Sequence, residues 1–531
     1  MTSTCSECGA LKIAAEVASR LVIPATTSWT LARCQKLAKS NEPPNAAELT
    51  FLRAVVPDTA ARLACLEDEI SRLQERLACL ETERTELADY HSQNTAILSP
   101  LRRMPSELIA EIFSWSLPTA YETRGPDVKR SPWVLAQVSS RWRNISLSTP
   151  SLWSLVKIWG KNIDKLDIDM IRTQVDRARK LKVHFYASED GSSVPQIKFF
   201  DFLSEHAARW EELSVQLTPT LVPRLGALRG RLPSLQRLWI QGAENHVGHD
   251  HIKCFETASS LVDVGISGPF ISIPFPTHQL TSCRLQGPWD THQRILKMAP
   301  NVVEACIRIV PESNGEESWP NASGPTLDLS HLRRLYVSHA EILDYIRAPG
   351  LDAIAVWVDQ PTGVAARLDS FLIRSSCTTL RRLYFNSIPH VSTTAEILKK
   401  YPFITSLVLS LGERTEEESN AALHDHLTML SVQDDSASFV QSPQLTEISL
   451  ASPLSVPIDY PLCLKMLQSR RKHPNCALTT ATFVTVEGPG PDPVTLAGMK
   501  ELRDGGKDIL VQLGSEAQKH FDRWMYACPW I

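Results

Sequence analysis

The chain has 531 residues, 43% of them hydrophobic and 21% charged, with a formal net charge of -4. That balance fits a chain with a real core and roughly two to four units, or one long repeat array with additions. The slight acidic excess argues against a general nucleic-acid binder, which gains affinity from surplus Lys and Arg.

Residues 1 to 45 read as a tail or linker, because Asn41-Glu42-Pro43-Pro44 stops any helix before it. The stretch 11–23 is interrupted by Glu16 and Arg20 and has no basic segment before it, so no signal peptide is expected. No run approaches the length needed to cross a bilayer, so no membrane partner is expected. Cys5 and Cys8 form a CxxC pair, but a structural zinc site usually takes four ligands, and an unstructured tail is the favoured reading. Cys254, Cys283, Cys306, Cys377 and Cys463 sit in or beside apolar runs and read as small core residues.

Residues 46–95 carry a helical pattern. Leu63, Leu66, Ile70, Leu73, Leu77, Leu80 and Leu87 recur in alternating steps of three and four, with Arg84 the one failure. A stripe this narrow between charged residues suits a coiled-coil seam. The alternatives are a homodimer through residues 63–87 and a helix folded back on its own chain; the first is slightly favoured.

From Leu98 the sequence runs Leu-Ser-Pro-Leu-Arg-Arg-Met-Pro-Ser-Glu-Leu-Ile-Ala-Glu-Ile-Phe-Ser-Trp-Ser-Leu-Pro. Pro105 suits the first helical position, and Glu107 meets the positive end of the helix. Leu108, Ile109, Ile112 and Phe113 make an apolar face, and Pro118 ends the helix. A second apolar helix is expected from Trp133, carrying Val134, Leu135, Val138 and Trp142 and ending before Ser148-Thr149-Pro150. Ser151-Leu152-Trp153 comes next.

This segment resembles the F-box of large fungal, basidiomycete-type families, whose members share an upstream coiled coil and the phrases quoted above. The resemblance covers roughly residues 41 to 158, with the F-box at 96–158. It implies a three-helix module that docks on the Skp-type adaptor of a cullin–RING ubiquitin ligase. On that resemblance the adaptor-binding residues are Leu101, Met104, Pro105, Leu108, Ile109, Ile112, Phe113, Leu117, Val134, Leu135, Val138, Trp142 and Trp153. The sequence departs from the family pattern at Met104, at Ser139 where the family has Cys, and in a longer stretch from Thr119 to Ser131. Pro105, Leu101 and Phe113 are expected at the contact, and Trp142 and Ile112 partly in the module's own core.

Residues 159–514 carry a degenerate apolar-x-x-apolar-x-apolar unit. It falls at Leu235/Leu238/Ile240, Leu261/Val264/Ile266, Leu280/Cys283/Leu285 and Leu332/Leu335/Val337. It recurs at Leu351/Ile354/Val356, Leu380/Leu383/Phe385, Ile404/Leu407/Leu409 and Leu445/Ile448/Leu450, with Trp210/Leu213/Val215 an earlier copy. Helices are expected between them at 292–298, 340–346, 366–375 and 394–400. A later helix is expected at 462–467, an extended stretch at 481–486, then a helix at 496–503 and a strand at 509–511. Spacings near 20–29 residues suggest an irregular leucine-rich-repeat-like solenoid, though the usual Asn after the strand is mostly missing. Trp239, Arg308, Tyr336, Trp357 and Tyr384 are candidates for substrate contact, with core packing at least as good a reading for each. Residues 515–531 read as a tail in which Trp524 and Trp530 pack back.

No nucleotide-binding glycine loop, zinc-protease motif or nucleophile elbow is present. His246, His249 and His251 read as a solvated turn before a metal site. Arg470-Arg471-Lys472-His473 reads as the cationic end of a helix. The expected fold class is α/β: a coiled-coil helix, a small all-α F-box, then the solenoid. The expected function is a non-enzymatic substrate receptor in the cytoplasm or nucleus, with no cofactor or metal. Its partners would be the Skp-type adaptor and an unidentified target protein. The alternatives are a scaffold protein with a degenerate F-box and, last, an enzyme with an unrecognised site.

Overall fold

The computed structural model describes residues 31–118, 127–188, 193–242, 252–268, 273–310, 326–358, 363–412, 415–432, 442–453, 456–514 and 516–518. The Cys5/Cys8 pair, the histidines 246, 249 and 251, most of the 119–131 stretch, and Trp524 and Trp530 lie outside the described residues. The chain divides into two compact units between Met104 and Pro105.

In the first unit, the stretch read as tail contains helix α1, Leu31–Lys39. Arg33 ties it to the next segment of the chain, reaching Glu42 at 2.9 Å and Glu48 at 3.0 Å. The Arg33 guanidinium holds both carboxyls below the usual carboxylate range. Helix α2 then runs from Ala46 to Leu98. Its start is fixed by a capping box: Asn45 Oδ1 accepts from the Glu48 N–H, and Glu48 Oε2 accepts from the Asn45 N–H, both at 2.8 Å. Pro57 sits inside this helix without ending it, although it contributes no N–H to the ladder. Leu63, Ile70, Leu73, Leu77, Leu80 and Leu87 are all exposed on α2. The short helix α3, Pro100–Arg103, closes the unit.

Among its described residues the second unit begins with three helices: α4, Ser106–Trp115; α5, Leu135–Val138; and α6, Ser140–Ser148. Pro105 occupies the cap position of α4 and not its first turn. The single helix expected from Trp133 is broken at Ser139, whose backbone is extended at φ -158° and ψ 165°. The reason is local: the Ser139 hydroxyl accepts from the Trp142 N–H at 3.1 Å and caps a new helix.

A parallel sheet of 14 strands comes after the helices, and its spatial order repeats chain order. Its first members are β1, Leu155–Trp159; β2, Leu181–Tyr186; β3, Trp210–Gln216; β4, Arg237–Gln241; and β5, Asp263–Ser267. The last is Asp508–Leu513. Parallel strands need crossovers, and helices such as Ile168–Arg177, Trp289–Met298 and Val364–Ser375 supply them. The apolar triads explain the sheet. Their second and third residues alternate onto one face, so Leu238/Ile240 meet Val264/Ile266 in register. Val156/Ile158, Val183/Phe185 and Leu213/Val215 form the same inward row and are fully buried.

The second and third residues of every triad named in the sequence lie on a strand of this sheet. The stretch 340–346 differs from expectation. It is a 3-10 turn, Ala340–Tyr345, leading into Ile346–Arg347, which pairs with Leu327–Asp328 in a separate small sheet. Strands β1, β2 and Glu304–Ile309 carry no triad named in the sequence. The supposed core cysteines 254, 283, 306, 377 and 463 are all buried. Burial pushes the Cys254 and Cys283 thiols up to about 12, so they act as small apolar groups.

Gly265 in β5 leaves the space that the Trp239 indole fills on the neighbouring strand; a Cβ there would overlap Cε3 of that ring. Gly265→Ala is therefore expected to cost about 1–3 kcal/mol through displacement of the ring. Thermal unfolding checks this, and a midpoint equal to that of the parent chain would refute it.

Candidate functional site

The three N-terminal helices of the second unit build a small module around aromatic contacts. Phe113 from α4 and Trp142 from α6 pack with ring centroids 4.8 Å apart. Trp133 meets Trp153 edge-on at 5.1 Å, and the Trp153 Nε1–H donates to the Ser146 carbonyl at 2.9 Å. Ile109, Leu135, Ile145 and Leu152 complete this core. The first repeat grips the module: the Gln174 amide donates to the Trp153 carbonyl at 3.4 Å, and the Arg177 guanidinium lies 4.4 Å from the Trp153 ring centroid.

This packing sorts the adaptor-binding candidates. In the first unit Leu101 is exposed and Met104 half-buried. In the second, Pro105, Leu108, Ile112 and Val138 are exposed, while Leu117, Val134 and Trp142 are half-buried. Ile109, Phe113, Leu135 and Trp153 are buried and present no surface to a partner in this conformation. The preference between Phe113 and Ile112 is thus reversed: Phe113 is 1% exposed and Ile112 46%. At 100° per residue, positions 109 and 113 lie on one flank of α4 and 108, 112 and 115 on the other. The inner flank takes the aromatic partner Trp142, which leaves the outer one uncovered.

The outer flank is the candidate site. Leu108, Ile112 and Trp115 are 54%, 46% and 78% exposed and succeed each other at steps of four and three. Sequence reasoning missed Trp115, although its i+7 spacing from Leu108 marks it. Its indole N–H donates to Glu111 Oε1 at 3.1 Å, which fixes the ring beside the stripe. Glu107 and Glu111 border the apolar residues with negative charge. Such a face can bury apolar area against a groove.

The repeat-face candidates divide in the same way. Trp239, Tyr336 and Tyr384 are buried, and the two tyrosines join Cys306, Ala355 and Val408 in a cluster of their own. Arg308 and Trp357 are half-buried. The basic run at 470–473 also resolves. Arg470 is buried, with Nε donating to the Leu430 carbonyl at 2.7 Å, so it is a structural tie between crossovers. Among the described residues no group of three or more His, Cys, Asp or Glu is placed to hold a metal ion. No described helix is long and apolar enough to cross a membrane.

No family model matches the chain, and no curated protein matches it. Among solved structures, a Bacteroides fragilis protein known from a crystal structure is similar over 70% of this chain and 84% of its own, at 11% identity and a TM-score of 0.26. A likeness that faint carries no argument about fold or function.

Removing Phe113 opens the module's core, whereas Ile112 leaves little behind. Phe113→Ala is expected to cost about 3–5 kcal/mol, and Ile112→Ala about 0.5 kcal/mol. Chemical denaturation distinguishes the two, and equal losses would contradict this assignment of flanks.

Proposed function

We propose that this chain is a non-enzymatic substrate receptor of the F-box type. In this reading α4 docks on the Skp-type adaptor of a cullin–RING ubiquitin ligase, and the repeat array, read as an irregular leucine-rich-repeat-like solenoid, holds a target protein. The observation that carries it is the second apolar flank of α4. A ten-residue helix already committed to a core by Ile109 and Phe113 still sets Leu108, Ile112 and Trp115 in solvent. Helical modules bind grooves through faces of this kind, with a large aromatic as anchor. The sequence phrases around residues 98–118 and 138–153 support the same reading through their resemblance to fungal F-boxes. A site in the cytoplasm or nucleus, with neither nucleic acid nor membrane as partner, belongs to this proposal.

Co-expression with a Skp-type adaptor tests it. The parent chain is expected to co-purify with the adaptor. Leu108→Asp combined with Ile112→Asp is expected to lose the complex at least tenfold while the circular dichroism and melting midpoint stay unchanged. Retention of the complex by that well-folded variant would remove the docking role from this helix.

A second reading has its own observation. The exposed leucines of α2 form a stripe at heptad spacing, which favours self-association through residues 63–87 and a scaffold role. Light scattering of the parent chain is then expected to give a dimer, and Leu73→Lys with Leu77→Lys a monomer. A parent chain that is monomeric at tens of micromolar would leave the stripe without this function.

A further inference from the structure

A cavity of about 810 Å³ opens in the second unit where the helical module meets the first four strands. Its size lies within the roughly 300–1,000 Å³ of small-ligand sites. One part of its lining is apolar: Leu117, Pro118, Pro132 and Trp133 come from the module. Trp133 is held there by the edge of Trp153 and by the Arg177 guanidinium, 5.1 Å from its ring centroid. The rest comes from the polar face of the sheet. Lys157 on β1 pairs in register with His184 on β2, and Lys182 lies two positions before His184 on the same face. Arg179 and Lys180 enter from the turn before β2.

The charge count of this lining is uneven. Six cationic side chains and three carboxylates face the cavity. Each carboxylate already has a cation: Asp127 has Arg130 at 3.8 Å, Glu211 has Lys180 at 2.8 Å, and Glu212 has Arg237 at 3.3 Å. Glu212 also lies 2.6 Å from Nε2 of the buried His184. Among the described residues no carboxylate lies within ion-pair distance of Arg179 or Lys182. Lys157 is buried among the others with its Nζ 5.6 and 5.4 Å from the Trp159 and Tyr186 rings, and burial pushes its ammonium below the usual lysine range. Two buried polar atoms of the lining, His184 Nδ1 and Gln174 Oε1, have no hydrogen-bond partner among the described residues.

A surplus of positive charge around a recess partly walled by apolar groups favours an anion. We propose that the cavity binds an organic anion with an apolar body, its charged group against Lys157, Lys182 and Arg179 and its body against Leu117 and Trp133. None of these cations lies on α4, so the assignment stands or falls separately from adaptor docking.

Calorimetry of the full chain with 1-naphthyl phosphate tests this, with 1-naphthol as the uncharged counterpart. Stoichiometric binding of the phosphate is expected, at least tenfold tighter than that of the naphthol. Arg179→Glu and Lys182→Glu, both outside the core, are each expected to weaken it at least tenfold, and Lys500→Glu on a distant helix to leave it unchanged. An N-acetylated, C-amidated Glu-Leu-Glu peptide identifies the carrier. Competition assigns the anion to an acidic segment of a protein; its absence, with naphthyl phosphate still bound, assigns it to a free small molecule. Failure of naphthyl phosphate to bind, equal affinity for 1-naphthol, or full affinity in both charge-reversed variants that melt like the parent overturns the proposal.

Discussion

The inward row of the parallel sheet is the constraint on which the second unit depends. A parallel strand hands all its backbone groups to its two neighbours, so each repeat is satisfied only if the next one forms. What holds the next one in place is the side-chain row facing the helices. Leu213/Val215, Leu238/Ile240 and Val264/Ile266 stack in register, and each is fully or almost fully buried. One such pair buries little by itself; fourteen strands in sequence make a continuous core. Shifting any strand by one residue would turn this row outward and bring Glu212, Arg237 and Asp263 inside, which fixes the register.

An array of this kind has a problem at its first strand, because among the described residues no other strand pairs with β1 on the side away from β2. The helical module answers it. Leu152 and Trp153 are buried immediately before β1; in the first crossover Gln174 donates to the carbonyls of Trp153 in the module and Leu155 in β1, and Arg177 lies over the Trp153 ring. This requirement decides how α4 is oriented. Its Ile109–Phe113 flank is drawn inward against Trp142, and the Leu108–Ile112–Trp115 flank is left over. The proposed docking face is thus a by-product of capping: the apolar residues that the array does not need remain for a partner. The same junction gathers the cations of β1 and β2 beside apolar groups of the module, which is why the cavity forms there.

Much of this was legible in the sequence. The triads at 235–240, 261–266 and 380–385 have the right spacing for one inward row, and each forms a strand. The strand at 181–186 escaped because Lys180 stands where the first apolar residue would be, and that at 304–309 because Ala305 is a weak apolar signal. Trp153/Val156/Ile158 does fit the pattern, but it was absorbed into the F-box-like phrase. The site was less legible than the fold. Four helical candidates, 108, 109, 112 and 113, span too wide an arc for the sequence to say which flank turns inward; only the position of Trp142 decides it. The break at Ser139 and the helix at 31–39 depended on single side chains, a hydroxyl cap and the Arg33 bridges, whose partners come into reach only in the folded chain.

Hydrogen exchange, monitored by mass spectrometry with and without a purified Skp-type adaptor, tests the docking proposal most directly. The account predicts slowed exchange across residues 105–117, strongest at the amides around Ile112 and Trp115, with the strands beyond β5 unchanged. Exchange across α4 that is identical in the two samples, while the adaptor is demonstrably bound, would contradict it.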